Sequence, residues 1–245
     1  METQKPKDNN LCSGMILQKT MSDGWTIKEI VHPNYNGHNH YYYLGKRAPV
    51  VKVDNEKMIK QYAGYTLIEK DLRSVIVWLN EIEKINPEPL SRYKNPLTMD
   101  LVKGYFVAAL TFYGKCFTTS TGRGIKYDRN NVPEEYRDTH DLIMKMRHNF
   151  TAHSGIGFEQ VKVSLALHPD INEDMQPQLY TELRQPDFDQ DLVKKMSVIA
   201  QILQQQAKKK RGDIGDRFLK EIVRPKGKLY WYQKGTYDEF PSPVE

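Results

Sequence analysis

The sequence predicts a mainly α-helical fold with small β additions. Three observations carry this. Apolar residues recur every three or four positions over long stretches, polar turn clusters and prolines separate those stretches, and only short segments alternate as strands do.

The first helix is expected over about 55–86, capped by Asp54 or Asn55. Met58, Tyr62, Tyr65, Ile68, Leu72, Ile76, Leu79 and Ile82 form its apolar stripe. Pro87, Pro89 and Pro96 then break the chain. A second helix follows over about 98–118, with Thr98 as cap. Leu101, Val102, Tyr105, Phe106, Ala109, Phe112, Tyr113 and Cys116 take it apolar most of the way round, which predicts a central position. A polar loop over 118–131 carries Arg123, Lys126 and Arg129.

A third helix starts near Pro133, where Glu134 and Glu135 suit the positive end of the helix dipole. Tyr136, Ile143, Met146 and Phe150 give its inward face, and Ser154-Gly155 its stop. The fourth runs from beyond Asp187 to about 209, interrupted at Gly212 and ending in the cations 208–211. Short strands are expected near 40–53, 160–183 and 228–233. Residues 1–13 read as a disordered start, and 14–245 as a single domain.

The 245 residues carry a formal charge of +5 and a pI of about 8.9, which permits nucleic-acid binding without requiring it. Two isolated cysteines, Cys12 and Cys116, argue against a disulfide scaffold and point to a reducing cytoplasm. Cys116, on an apolar helix, reads as a core residue. No stretch is long and apolar enough to suggest a membrane span. His38 and His40 have a spacing metals sometimes use, but nothing beside them completes a ligand set, so a surface strand or loop is expected and no metal or cofactor.

The densest polar cluster is Arg147-His148-Asn149-Phe150-Thr151-Ala152-His153. Arginine holds a phosphate with a planar fork of donors, and histidine exchanges protons near neutral pH. Together they can cleave RNA without a metal. On an ideal helix Arg147 and His153 lie about 120° apart. Asn149 shares a face with His153, and Arg147 shares one with His140, Met144 and Thr151. The pair converges only if the helix ends or distorts, if Arg147 reaches round, or if two chains meet.

The segment Met146–Gly155 resembles the signature of HEPN proteins (higher eukaryotes and prokaryotes nucleotide-binding), an Arg and a His a few residues apart. Tyr113-Gly114-Lys115-Cys116-Phe117, Gly122-Arg123 and His140 resemble the HEPN proteins of bacterial abortive infection. The likeness covers about 100–158, roughly a quarter of the chain. It implies a four-helix bundle that dimerises, with the motifs of two protomers facing one cleft. It also implies metal-independent RNA cleavage by a toxin or antiphage-defence effector, held in check by a neutralising antitoxin or another defence protein. On this reading Arg147 and His153 are catalytic, His148, Asn149 and His140 support them, and Arg123, Lys126 and Arg129 hold RNA. In the family the residue after the Arg is usually Asn, Asp or His, most commonly Asn; here His148 stands there and Asn149 follows. The alternatives are a non-catalytic HEPN module binding RNA, a nucleotide or a protein, and a helical interaction protein whose Arg–His pair is structural.

Overall fold

The computed structural model describes residues 15–32, 35–53, 57–87, 95–119, 122–148, 160–170, 176–184 and 189–237. In chain order the elements are β1 (Met15–Thr20), β2 (Trp25–His32), β3 (Tyr35–Tyr43), β4 (Lys46–Arg47), α1 (Lys57–Ile85), α2 (Pro96–Lys115), α3 (Arg137–Met146), β5 (Gln160–Ala166), β6 (Gln178–Arg184), α4 (Gln190–Phe218) and α5 (Arg224–Lys234). The described residues are mainly helical, with two small antiparallel sheets.

The sequence runs residues 14–245 together as one domain. By its contacts the chain gathers into two compact units, Asn55–Phe218 and Met1–Asp54 with Leu219–Glu245. The second is assembled from both ends of the chain. Val50 and Thr236 exchange both backbone hydrogen bonds, at 2.8 and 2.9 Å. Pairing across nearly the whole sequence leaves no local pattern to read.

In the larger unit, α1 packs against both α2 and α4. Ile76 of its stripe is only partly buried, while Ile68, Leu72, Leu79 and Ile82 are fully buried, joined by Val75. Removing one such side chain costs about 2–5 kcal/mol, because the cavity adds to the forfeited transfer energy. Gly64 lies where the 122–128 segment crosses α1; a Cβ there would meet Ile125 Cγ1 at 2.5 Å and the Arg123 carbonyl oxygen at 2.8 Å.

Helix α2 begins earlier than expected. Asn95, not Thr98, is the cap: its Oδ1 accepts the Thr98 N–H at 3.2 Å, and Pro96 occupies the first turn, where its missing N–H costs nothing. Its apolar girdle is only partly covered. Val102, Phe106, Ala109, Leu110 and Tyr113 are buried, while Leu97 and Leu101 face outward.

Helix α4 runs straight through Gly212, so the expected stop near 209 is corrected. A helical Gly costs only about 1 kcal/mol relative to Ala, and the buried Phe218 anchors the far end. Gly215 lets α4 approach the ring of Tyr62, which would lie 3.3 Å from a Cβ. The cations 208–211 are therefore mid-helix, and Lys210 sits over the rings of Tyr65 and Tyr127. Strands β5 and β6 pair antiparallel in register, Val163 opposite Thr181.

The smaller unit holds β1–β4 as a meander in sequence order. The β3–β4 turn uses two consecutive positive-φ residues, Leu44 at 46° and Gly45 at 79°, the pattern that matches strand twist in two-residue hairpins. His40, expected at the surface, is buried, its Nε2 3.3 Å from the Arg47 guanidinium. The strand expected at 228–233 is instead helix α5. Leu229, Tyr230, Trp231 and Tyr232 favour strands. Helical winding brings Lys228 over Tyr232 and Lys234 over Tyr230, contacts that four-residue spacing provides and a strand does not.

Candidate functional site

The site is the end of α3. Pro133 and a 3-10 turn over Glu134–Tyr136 lead into the helix. His140, Ile143 and Met146 then turn inward and are buried. Helical winding continues beyond Met146: the Arg147 N–H donates to the carbonyls of both Ile143 and Met144, and Arg147 and His148 pass into π winding. The last turn thus departs from ideal α geometry; a distortion is one of the three routes by which Arg147 and His153 could meet, beside a long reach by Arg147 and the meeting of two chains.

Arg147 is half-buried and His148 is exposed. The Arg147 stem lies across Gly114 of α2, whose missing side chain leaves room for it. A guanidinium seated this way keeps less rotamer freedom than one on an open surface, so less is forfeited when it grips a phosphate. Asn149 and His153, with Phe150, Thr151 and Ser154-Gly155, lie outside the described residues, as do the cap candidates Asp54 and Asn55.

His140 lies two helical turns before Arg147 and is buried. Its Nδ1 is 2.8 Å from the Tyr113 hydroxyl, and its ring centroid is 4.4 Å from that of Phe117. Burial holds its pKa below the ordinary 6.5, outweighing the opposing pull of Asp141. Burial likewise pushes the Tyr113 hydroxyl well up. A neutral imidazole bonded to a neutral phenol ties α3 to α2. That contact fixes the helix that carries Arg147.

The three loop cations divide. The Arg123 guanidinium is buried, ion-paired to the buried Asp71 of α1 and donating to the Lys115 carbonyl at 2.8 Å. Lys115 closes the group, its Nζ 3.5 Å from Asp71 Oδ2. Arg129 makes a two-pronged pair with Asp141 on α3, with Nη2 to Oδ2 at 2.7 Å and Nε to Oδ1 at 2.9 Å. Lys126 is half-exposed, 3.6 Å from Asp128. Arg123 and Arg129 thus spend their forks on carboxylates, one locking the loop to α1 and the other locking it to α3.

The loop is built rather than slack. The Tyr127 N–H donates to the Cys116 carbonyl at 2.8 Å, and its buried hydroxyl donates to the Leu203 carbonyl of α4 at 2.9 Å. Cys116 is fully buried, and that burial raises its thiol to about 12, so it is an inert core thiol.

Sequence reasoning missed Asp71, and it singled out Tyr113 and Gly114 without their contacts to His140 and Arg147. Two signals could have found them: an aspartate on the buried stripe of α1, and a Tyr-Gly pair on α2 facing a helix that carries both His140 and Arg147. Among the described residues no cluster of three or more His, Cys, Asp or Glu could hold a metal, and no helix is long and apolar enough to cross a membrane. No protein-family description, curated protein or solved structure matches this chain.

Proposed function

We propose that this chain is a metal-independent endoribonuclease of the HEPN kind, acting as a toxin or antiphage-defence effector through Arg147 and His153. The observation that carries the reading is the seat of Arg147. An arginine stem laid in the gap left by a helical glycine, at the distorted end of a helix and next to the exposed His148, fits a fixed phosphate clamp. In the reaction the ribose 2′-oxygen attacks the adjacent phosphorus and the 5′-oxygen leaves. His153 takes the 2′-hydroxyl proton or supplies one to the leaving oxygen, and Arg147 stabilises the charge gathered on the phosphoryl oxygens. The products are a 2′,3′-cyclic phosphate and a 5′-hydroxyl.

On this reading α1–α4 make up the four-helix bundle, and two protomers bring their motifs to one cleft. The bidentate Arg129–Asp141 pair and the buried Arg123–Asp71 pair then belong to the scaffold. At the cleavage site itself Arg147, His148 and Lys126 would meet the RNA. A second reading, a module that binds RNA without cutting it, draws support from His140, whose buried and neutral ring leaves α3 itself without a histidine fit for acid–base work. Incubating the purified chain with RNA in EDTA separates the two. Cleavage with 2′,3′-cyclic phosphate ends supports the nuclease, and retention of intact RNA supports the binding module.

A further inference from the structure

The smaller unit concentrates cations and flat rings. Its described residues carry ten Lys and Arg against three Asp and Glu, with nine Trp and Tyr. On α5 the two residue types are interleaved. Lys226 Nζ lies 5.4 Å from the Tyr230 ring and 5.5 Å from the Trp231 ring, Lys228 lies 5.3 Å from Tyr232, and Lys234 lies 4.7 Å from Tyr230. On the sheet, Lys28 sits 4.7 Å above Tyr42. These four ammonium groups face rings; among the described residues none is in an ion pair.

The arrangement is held in place. Gly227 has φ 75° and ψ 161°, a conformation open essentially to glycine alone. It kinks the helix so that Lys226 turns back over Tyr230 and Trp231. The Trp231 Nε1–H donates to the Val223 carbonyl at 2.8 Å and pins the kink. Two ammonium groups therefore converge on one phenol, Tyr230, where they repel each other and create a local excess of positive potential. Lys234 and Lys226 also draw the hydroxyl of the half-buried Tyr230 below its ordinary pKa. Leu229 and Tyr232 are 79% and 62% exposed beside them.

We propose that this face of α5 binds single-stranded RNA: the lysines meet phosphates, and Tyr230 and Tyr232 stack on bases. The inference rests on the nuclease reading for its choice of RNA, and it names where substrate is held. Every base offers a π-face, so rings alternating with cations suit a strand without fixing its sequence. An anionic membrane fits less well. Interfacial helices gather apolar side chains on one face, whereas α5 interleaves its rings with lysines.

The test is fluorescence anisotropy of a labelled single-stranded RNA with the full chain at graded salt. The parent is compared with Lys226→Gln/Lys228→Gln/Lys234→Gln, with Tyr232→Ala, and with the equal-charge control Lys57→Gln/Lys60→Gln/Lys70→Gln on α1. The α5 triple variant should bind at least about tenfold more weakly than the control, and its salt slope should fall by roughly 0.7 for each phosphate no longer neutralised. Tyr232→Ala should weaken binding about fivefold or more at an unchanged salt slope, which keeps the proposal testable if the triple variant fails to fold. RNA cleavage with normal binding by both α5 variants overturns this surface and leaves the nuclease intact. Binding abolished in the α5 variants, with a parent that never cuts RNA, keeps the surface and removes the nuclease. If vesicles rich in anionic lipid, but not RNA, bind the parent and fail to bind the triple variant, the face is a membrane surface and the proposal fails.

Discussion

Arg147 crosses α2 at Gly114, where a methyl group would lie 2.9 Å from its Cγ and 3.1 Å from both Cδ and Nε. Among the described residues the three nearest atoms to that point all belong to Arg147, so the glycine makes room for the arginine. Gly114→Ala should raise helix propensity, worth up to about 1 kcal/mol, while pushing the flexible Arg147 stem aside. The expected outcome is a protein that melts within a few degrees of the parent yet cleaves RNA at least about tenfold more slowly. Melts and turnover on one preparation check this; unchanged turnover would free Arg147 from any dependence on its seat.

The Asp71–Arg123 pair is the opposite case. Both side chains are buried, and Arg123 is central to how the 122–128 segment lies on α1. Asp71→Asn leaves a buried guanidinium without its counter-charge, a change that costs about 3–5 kcal/mol. Urea unfolding should show that loss. Any fall in RNA cleavage should track the folded fraction, because Arg123 supports the loop instead of gripping substrate. A stable Asp71→Asn protein would contradict this account of the pair.

His140 sets a pH dependence. Its folded pKa lies below 6.5 because burial penalises the imidazolium. Between the folded and the ordinary values the unfolded chain binds more protons, so stability rises with pH through that window. The contribution is complete above about 6.5 and is lost as pH falls from there toward the lower folded value. Stability measured at pH 7.5 and 5.5 should fall more for the parent than for His140→Gln. Equal losses in the two proteins would mean that His140 is not the buried neutral base.

The convergence of Arg147 and His153 has its own test. His153→Ala should abolish RNA cleavage with the fold intact, since the residue follows the end of the described helix. Sedimentation at micromolar concentration should show a dimer that buries a surface including α3, where Leu142 is exposed. A strict monomer would remove the paired-motif cleft, and full cleavage by His153→Ala would remove that residue from the chemistry.

The helices were legible because their signals are local. The α1 stripe and the inward face of α3 follow from 3.6-residue periodicity, and the α3 wheel already sets Arg147 in line with His140. Boundaries were less legible where two rules compete. Pro96, expected only as a break, begins a helix, and Gly212 is a stop only if no packing overrides it. The strand expected at 228–233 failed because aromatic β propensity is weaker than the lysine–tyrosine contacts helical winding brings together. What no local pattern carries is partnership at long range. Asp71 with Arg123, Gly114 with Arg147 and Val50 with Thr236 are each separated by dozens of residues or more, and the first of these decides that a loop arginine is buried scaffold.

The central claim rests on Arg147, and its most direct test is single-turnover RNA cleavage in EDTA by the parent, Arg147→Lys and Arg147→Ala, with thermal melts on the same preparations. A seated, two-pronged phosphate clamp predicts that both variants melt near the parent and that lysine fails nearly as badly as alanine, because it keeps the charge and loses the fork. A well-folded Arg147→Ala protein that cleaves RNA as fast as the parent would contradict the proposed site.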